Sequence, residues 1–179
     1  QIVAQQELEP KEAIWTDFPS QSNLYLLSML KKRGIAKLYA HQKEAIETAL
    51  TGENVVLTTG VASGKSLCYQ FPILQTLLLS PESRALLLFP TKALAQDQKQ
   101  KMQSLIQGLM QENSSIPPIY TGIYDGDTEV GARRNIRNKA HLIFSNPDML
   151  HLAILPNHYL WSNFFAHLKW IVLDEVHIY

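Results

Sequence analysis

The sequence has little cysteine, no long apolar run and no excess of either charge. Its 179 residues include one cysteine, Cys68, which excludes an internal disulfide or a cysteine-rich zinc site in this chain. Scarce cysteine is typical of a reducing compartment, so a cytoplasmic protein is expected. No run reaches membrane-spanning length, so no membrane partner is expected. The 16 basic and 16 acidic residues cancel, so any basic binding surface has to be local.

The remaining composition is that of a globular protein, with 46% hydrophobic and 18% charged residues. Residues 1–20 are polar and predict an extended lead-in. A helix follows, with Ser22 as its expected cap and Gly34 as its stop. The chain therefore divides into an N-terminal extension with this helix, residues 1–36, and a domain over residues 37–179.

From residue 41 onward, helical patterns alternate with short apolar runs that predict strands. The strands are expected at Asn54–Thr58, Ala85–Phe89, Ile119–Ile123, Leu142–Phe144 and Trp170–Leu173. The helices are expected at His41–Leu50, Ser66–Leu79, Lys92–Met110, Thr128–Asn138 and Pro147–Leu155. Because the strands are apolar throughout, the alternation predicts an α/β fold with a parallel sheet sandwiched between helices.

The strongest motif is a glycine-containing loop between the first predicted strand and the helix after it. It reads Thr59-Gly60-Val61-Ala62-Ser63-Gly64-Lys65-Ser66. Backbone N–H groups of such a loop face phosphate oxygens. Lys65 would reach the β- and γ-phosphates, and the Ser66 hydroxyl would ligate Mg²⁺. The strict pattern has glycine where this chain has Thr59.

Two adjacent carboxylates, Asp174 and Glu175, follow the last predicted strand. Parallel strands end at one edge of their sheet, so this pair is expected beside the glycine-containing loop. Asp174 would hold Mg²⁺, and Glu175 would deprotonate the water that attacks the γ-phosphate. An isolated Asp-Glu pair is more often a solvated turn, but together with the loop it predicts a Mg-ATP site.

These two motifs resemble Walker A and the Asp-Glu-Val-His form of motif II in superfamily 2 helicases, whose nucleotide loops tolerate Thr59. The resemblance implies that residues 37–179 are a RecA-like P-loop NTPase lobe, truncated after motif II. It also implies a second RecA-like lobe elsewhere in the full-length chain, without which ATP hydrolysis is expected to be very slow. His177, just after motif II, is expected to couple the nucleotide to the nucleic acid.

Further segments resemble other helicase motifs in the same order along the chain. Leu38-Tyr39-Ala40-His41-Gln42 resembles the glutamine motif, in which Gln42 would read the adenine edge and Tyr39 would either stack on the base or pack in the core. Phe89–Gln96 resembles motif Ia, Tyr124–Thr128 motif Ib and Ser145–His151 motif Ic. By this resemblance, the nucleic-acid contacts would be Pro90, Thr91, Lys92, Gly126, Asn146 and Pro147.

The amino-acid sequences of these motifs are similar to those of the DEVH-box DNA helicases related to mitomycin repair factor A and the fungal RecQ-four-like enzymes. That resemblance implies ATP-driven 3′-to-5′ movement on single-stranded or forked DNA and a role in DNA repair, in the bacterial cytoplasm or nucleoid. An RNA helicase and a nucleotide-gated binding module without unwinding remain alternatives. The order of the later motifs disfavours a small-molecule kinase.

Two weaker patterns concern a group of basic residues and a group of aromatic residues. The basic residues on the predicted helix after motif Ib either neutralise nucleic-acid phosphates or form a solvated helix face. They are Arg133, Arg134, Arg137 and Lys139. Three aromatic residues near the C-terminus are expected to pack against the last strand. They are Trp161, Phe164 and Phe165.

Overall fold

The computed structural model describes residues 13–59 and 63–178, and its helices and strands follow the predicted alternation closely. In chain order the elements are β1 (Trp15–Thr16), α1 (Leu24–Lys32), β2 (Leu38–Tyr39), α2 (Ala40–Leu50), α3 (Lys65–Leu79), β3 (Arg84–Leu88), α4 (Lys92–Glu112), β4 (Thr121–Ile123), α5 (Val130–Lys139), β5 (Leu142–Ser145), α6 (Pro147–Met149), α7 (Ser162–Ala166) and β6 (Leu168–Leu173). A π-helical segment, Leu150–Ile154, and a 3-10 segment, Leu155–Trp161, lie between α6 and α7. A 3-10 turn, Val176–Ile178, follows β6.

Four strands form one parallel sheet in the order β4-β5-β3-β6. Leu86 of β3 pairs with Ile143 of β5 on one side and with Ile171 of β6 on the other. Because the four strands run in the same direction, the segments that follow them meet at one edge of the sheet. The predicted fold class, a parallel sheet between helices, is confirmed.

The first predicted strand, Asn54–Thr58, is not a strand in the described structure. Val56 is 88% exposed, and among the described strands none pairs with this segment. The sheet ends at β6, whose residues Ile171 and Leu173 are also exposed. The prediction was wrong because β-branched content indicates only a preference, and in the described structure this segment does not pair with the open edge of β6.

The sheet separates two apolar cores. Successive residues of a strand point to opposite faces, so in β3 the side chain of Leu87 joins one core while Leu86 and Leu88 join the other. The first core includes residues of α1, α2, α3 and α4, and the second contains the rings of Trp161 and Phe164. The rings of Trp161 and Phe164 pack against each other there, with a centroid distance of 5.7 Å. The predicted packing against the last strand is met only at Leu168 among the described residues of β6, since Ile171 and Leu173 are exposed.

Helix α1 packs into the first core through buried residues such as Leu26. Its cap is Asn23, whose Oδ1 accepts a hydrogen bond from the Tyr25 N–H at 2.9 Å, so the prediction of Ser22 as the cap was wrong by one residue. Both side chains are good helix caps, and composition alone does not choose between neighbours. Gly34 follows the helix with φ of 83°, a left-handed conformation that favours glycine.

The helix predicted over Pro147–Leu155 is α-helical only in its first turn, α6. The chain then becomes π-helical and, at Leu155, 3-10 helical. Pro156 explains the break, because proline has no N–H to donate and its ring clashes with the carbonyl one turn earlier in an α-helix.

Candidate nucleotide site

Helix α3 begins in the predicted phosphate loop. Gly64 is its N-cap, Lys65 its first residue and Ser66 its second, and Gly64 has a φ of 74°. A helix start offers N–H groups without helical partners and the positive end of the helix dipole, which together favour an anion. The predicted loop positions from Gly60 to Ala62 lie outside the described residues.

Gln42 holds the end of this loop against the start of α2. Its Nε2 donates to the Gly64 carbonyl oxygen at 3.0 Å, and its Oε1 accepts from the Tyr39 N–H at 2.9 Å. The side chain is buried. An amide keeps a second N–H and a second lone pair after these two bonds, so recognition of the adenine edge by Gln42 stays a prediction.

His41 is a loop contact that the sequence did not single out. Its Nε2 lies 3.1 Å from the Ser63 carbonyl oxygen and bonds it when that nitrogen carries the proton. The hydroxyls of Thr59 and Ser63 are 2.6 Å apart, which joins the two described ends of the loop. The only available signal for His41 was its place beside Gln42 in the glutamine motif.

The two carboxylates follow β6 at the same sheet edge. The Asp174 N–H donates to the Leu88 carbonyl oxygen at 3.0 Å, which fixes the strand end against β3. The Glu175 N–H donates to Asp174 Oδ1 at 3.0 Å. Glu175 has a φ of 51°, in the left-handed region that a non-glycine residue seldom adopts. This turn directs the chain away from the strand at the residue predicted to act as the base.

Lys65 lies near enough to Asp174 to act on the pKa of its carboxyl. Burial raises the pKa of Asp174, the neighbouring Glu175 charge raises it further, and the Lys65 ammonium opposes both. Burial raises the pKa of Tyr69, one turn after Ser66 on α3, and the nearby Asp174 carboxylate raises it further. The start of α3 and the end of β6 therefore lie near each other.

The donor types at this site fit Mg²⁺. A serine hydroxyl and an aspartate carboxylate are hard oxygen ligands, and Mg²⁺ bound with a triphosphate takes its other ligands from phosphates and water. Ser66 and Asp174 would supply the two protein ligands. Across residues 13–59 and 63–178, no group of three or more His, Cys, Asp or Glu side chains is arranged to hold a metal ion.

A cavity of about 590 Å³ opens beside the loop and extends toward the N-terminal residues. Tyr39, Gln42 and Ser66 line it together with Trp15, which the sequence did not single out. The rings of Trp15 and Tyr39 stack with a centroid distance of 4.3 Å, because β1 pairs with β2 and sets these residues opposite each other. An aromatic wall of this kind suits a planar base.

His177 lies beside the predicted base. Its Nδ1 is 3.4 Å from Glu175 Oε2, and its side chain is largely exposed. The contact is an ion pair only when the imidazole is protonated. The structure thus joins His177 to Glu175, while its predicted role in coupling to nucleic acid stays a prediction.

The predicted motif Ia and Ib contacts lie together at this edge of the sheet. Thr91 caps α4, with its Oγ1 accepting from the Leu94 N–H at 3.2 Å, and the next residue, Lys92, is exposed. Lys92 Nζ lies 2.6 Å from Asp127 Oδ2. Gly126 is also near this ammonium, since a Cβ atom built on Gly126 would lie 3.9 Å from Lys92 Nζ. Hydrogen bonding to Asp127 raises the pKa of Lys92. Pro90 precedes this cap and is half-buried.

The motif Ic segment follows the neighbouring strand. Asn146 caps α6 by accepting a hydrogen bond from the Met149 N–H at 2.8 Å, and Pro147 is the first residue of that helix. The Ser145 hydroxyl donates to the Tyr124 carbonyl oxygen at 2.5 Å, which joins the ends of β5 and β4. The three nucleic-acid motifs therefore follow three adjacent strands at one edge.

Arg133, the first member of the basic helix, binds within the protein. Its Nε donates to the Thr128 carbonyl oxygen at 3.0 Å, and its guanidinium lies 5.7 Å from the centroid of the Tyr124 ring. It therefore holds the turn after β4. Arg134 and Lys139 are exposed on α5, as either earlier interpretation allows.

Residues 39–179, from the glutamine motif through motif II, match the DEAD/DEAH box helicase family. The chain belongs to that family. Within the described part of the chain, no helix is both long and apolar enough to cross a membrane. The family match confirms the predicted helicase resemblance, and the RecA-like architecture agrees with it.

Three relatives define the branch within the family. The chain is 43% identical to the uncharacterized ATP-dependent helicase YprA of Bacillus subtilis, over 99% of this chain. It is 49% identical to the ATP-dependent helicase HRQ1 of Saccharomyces cerevisiae, over 79% of this chain. A crystal structure of the DUF1998 helicase MrfA bound to DNA and AMPPNP superposes with a TM-score of 0.89, at 44% identity over 95% of this chain. The predicted branch is confirmed.

The chain is much shorter than these relatives. It spans 23% of YprA and of the MrfA chain, and 13% of HRQ1. The comparison therefore covers only a part of each relative, and the activities of the whole relatives belong to more than this segment.

Proposed function

We propose that this chain is the ATP-binding lobe of an ATP-dependent DNA helicase that moves 3′-to-5′ along single-stranded or forked DNA. The observation that carries the proposal is the shared sheet edge. Asp174 follows β6 there, with its N–H donating to the Leu88 carbonyl oxygen at 3.0 Å, and Lys65 at the start of α3 is near enough to act on the pKa of its carboxyl. Thr91 and Lys92 follow β3 at that edge, beside the motif Ib turn.

Each residue of the nucleotide site has a role in the proposal. Lys65 binds the β- and γ-phosphates, and Ser66 and Asp174 hold Mg²⁺, which when bound neutralises charge that develops on the phosphates. Glu175 orients the attacking water and accepts its proton. Tyr39 and Trp15 face the base, with Gln42 at its polar edge.

Strand binding is assigned to the exposed edge beside this site. The N–H groups at the start of α4 and the Lys92 ammonium suit a backbone phosphate. Gly126, Asn146 and Pro147 follow the adjacent strands, and a single strand passing across their ends would meet all three motifs. The DNA in the MrfA structure and the 44% identity to that protein favour DNA as the substrate.

The rest of the motor is part of the proposal. A second RecA-like lobe in the full-length chain would supply an arginine finger. Such a residue raises the rate of phosphoryl transfer by roughly a thousandfold or more. We therefore expect this chain alone to hydrolyse ATP very slowly. A role in DNA repair, and a place in the bacterial cytoplasm or nucleoid, follow from the same resemblance.

Matched DNA and RNA substrates test the proposal in the full-length protein. Single-stranded DNA should stimulate ATP hydrolysis, and duplexes with a 3′ tail should be unwound while those with a 5′ tail are not. Stimulation and unwinding with RNA alone would identify an RNA helicase. Nucleotide-dependent binding without any hydrolysis would identify a binding module.

The Glu175→Gln variant tests the assigned base. We expect it to retain Mg-ATP binding and lose turnover, because the amide keeps the size of the side chain and cannot accept the proton. Glu44→Gln is the matched control, since Glu44 is exposed on α2 outside the site. Full turnover in Glu175→Gln would show that another group is the base.

A further inference from the structure

One buried amide near the phosphate loop differs from the other buried amides of its type. Among residues 13–59 and 63–178, four glutamine side chains are buried. Gln42, Gln75 and Gln98 each form a hydrogen bond with another part of the chain. The fourth, Gln70, is 6% exposed, and its amide has no such bond among the described residues. Because buried amides are normally paired, the Gln70 amide is available to a ligand.

Gln70 lines the cavity of about 590 Å³ that opens beside the loop, a volume typical of small-ligand sites. It lies on α3 one turn, or about 6 Å, after Ser66, which lines the same cavity. That distance is shorter than a nucleoside triphosphate. A nucleotide whose phosphates lie at Ser66 therefore has the length to place its base beside Gln70.

The lining of the cavity offers different groups to the face and to the edge of a base. The stacked rings of Trp15 and Tyr39 line it from β1 and β2, and they suit the flat face. Leu67 and Leu105 add apolar surroundings, in which a hydrogen bond is stronger than in water. An amide carries a donor and an acceptor side by side, which complements the amino group and neighbouring ring nitrogen of adenine.

Gln42, the other amide of this cavity, is already engaged in holding the loop. Its Nε2 donates to the Gly64 carbonyl oxygen and its Oε1 accepts from the Tyr39 N–H. These two bonds fix its orientation and leave it one N–H and one lone pair. Gln70 keeps its full hydrogen-bonding capacity for the ligand.

We propose that Gln70 is a specificity-determining residue that binds the edge of adenine. Its Oε1 accepts from the N6 amino group, and its Nε2 donates to the adjacent ring nitrogen. The inference rests on the proposed function, because it concerns the base of the same nucleotide. In this arrangement Gln42 holds the phosphate loop, and Gln70 distinguishes adenine from bases that lack the amino group.

Gln70→Met tests this contact in the full-length protein, because methionine keeps the length of the side chain and loses both polar groups. We expect ATP affinity, measured by titration calorimetry, to fall by about threefold to tenfold, the effect of one or two hydrogen bonds. The affinity for tripolyphosphate should stay at the wild-type value. The melting temperature without nucleotide should stay equal or rise, because no internal hydrogen bond is lost.

A ligand without the amino group identifies the atom that Gln70 contacts. Purine ribonucleoside triphosphate, which is ATP without its N6 amino group, should bind the wild-type protein more weakly than ATP does. Gln70→Met should reduce the affinity for ATP more than the affinity for this analogue, because the two changes remove the same hydrogen bond. An equal loss for both ligands would overturn the proposal.

Two other glutamines provide matched controls. Gln107→Met removes an exposed amide of α4 outside the cavity and should change neither affinity nor melting temperature. Gln75→Met removes a buried amide of α3 that accepts from the Asn23 N–H at 2.9 Å, so it should lower the melting temperature and keep the preference for ATP over the analogue. The same pair of results in Gln70→Met would show a packing role and contradict the inference.

The wild-type protein distinguishes failure of this inference from failure of the proposed function. A wild-type protein that binds ATP, together with a Gln70→Met variant that binds it equally well, contradicts the inference alone. A full-length wild-type protein that binds no ATP contradicts the proposed function, and the inference fails with it.

Discussion

The Gln42 amide and the Gly64 backbone fit against each other with no space for a side chain between them. Gln42 Nε2 donates to the Gly64 carbonyl oxygen at 3.0 Å, and a Cβ atom built on Gly64 would collide with that same nitrogen. Gly64 also has a φ of 74°, which other residues seldom adopt. Two independent constraints therefore require glycine where α3 begins.

Gly64→Ala should weaken binding of Mg-AMP-PNP by at least about tenfold. The left-handed conformation costs a side chain about 1–2 kcal/mol, and the collision with Gln42 displaces the loop from the phosphates. Gly131→Ala is the matched control, because Gly131 lies in α5 with open space around its Cβ position. The control should bind normally and gain about 0.5–1 kcal/mol of stability. Wild-type nucleotide affinity in Gly64→Ala would contradict the assigned loop geometry.

Trp15→Ala should weaken ATP binding by about fivefold without affecting inorganic triphosphate. The stacked pair of Trp15 and Tyr39 lines the cavity beside the loop, and loss of one aromatic partner costs about 1 kcal/mol. Competition of ATP and tripolyphosphate against a fluorescent nucleotide measures both affinities. Tyr25→Ala, an exposed aromatic of α1 outside this cavity, is the control. An equal loss for both ligands would show that Trp15 acts on the loop rather than the base.

The sequence predicted the parts of the site whose signals are local. Lys65 and Ser66 stand in one short motif and Asp174 follows a strand, so the sequence predicted that they lie near each other. The reasoning was half right, because Asp174 does follow β6 while the strand expected before the loop, Asn54–Thr58, is not present in the described structure. Trp15 has no such signal, because only the pairing of β1 with β2 brings it to Tyr39.

The wrong strand prediction and the open interpretation of the basic residues share a physical cause. The β-branched content of Asn54–Thr58 indicates a preference, but pairing depends on a neighbouring strand far away in the sequence. The basic residues after motif Ib show that this segment is positively charged, but the sequence does not show whether their side chains face the solvent or the protein. Arg133 turns inward and holds the carbonyl oxygen of Thr128.

Cys68 should resist alkylation in the folded protein at neutral and mildly alkaline pH. Burial raises the pKa of its thiol to about 11, from 9.0, and the reactive form is the thiolate. Iodoacetamide should therefore modify Cys68 quickly only after unfolding in denaturant. Rapid modification of the folded protein, at the rate of the unfolded chain, would contradict the buried position.

The same thiol should make stability depend on pH in the alkaline range. Because the folded pKa is raised, the contribution is complete below about 9 and is lost as pH rises toward 11. The difference in unfolding free energy between wild type and Cys68→Ala should shift by about 2 kcal/mol across that window. A constant difference would contradict the shift. The comparison with Cys68→Ala cancels the titration of lysines and tyrosines.

Asp127→Asn should strengthen binding of single-stranded DNA in the full-length protein. Asp127 Oδ2 lies 2.6 Å from Lys92 Nζ, so the carboxylate occupies the position that a backbone phosphate would take. Removing its charge releases the ammonium, and we expect the dissociation constant to fall by about twofold to fivefold at low salt. The gain should shrink as salt rises, because both groups are exposed and screened.

Two controls decide whether this gain comes from Lys92. Glu129→Gln removes an exposed carboxylate of the same region outside the ion pair, so it reports the effect of net charge alone. Lys92→Ala should weaken DNA binding, and adding Asp127→Asn to it should then have no further effect. Equal gains in Asp127→Asn and Glu129→Gln, or a gain that persists without Lys92, would mean that Asp127 only lowers the local potential. The motif Ia ammonium would then have no part in holding the strand.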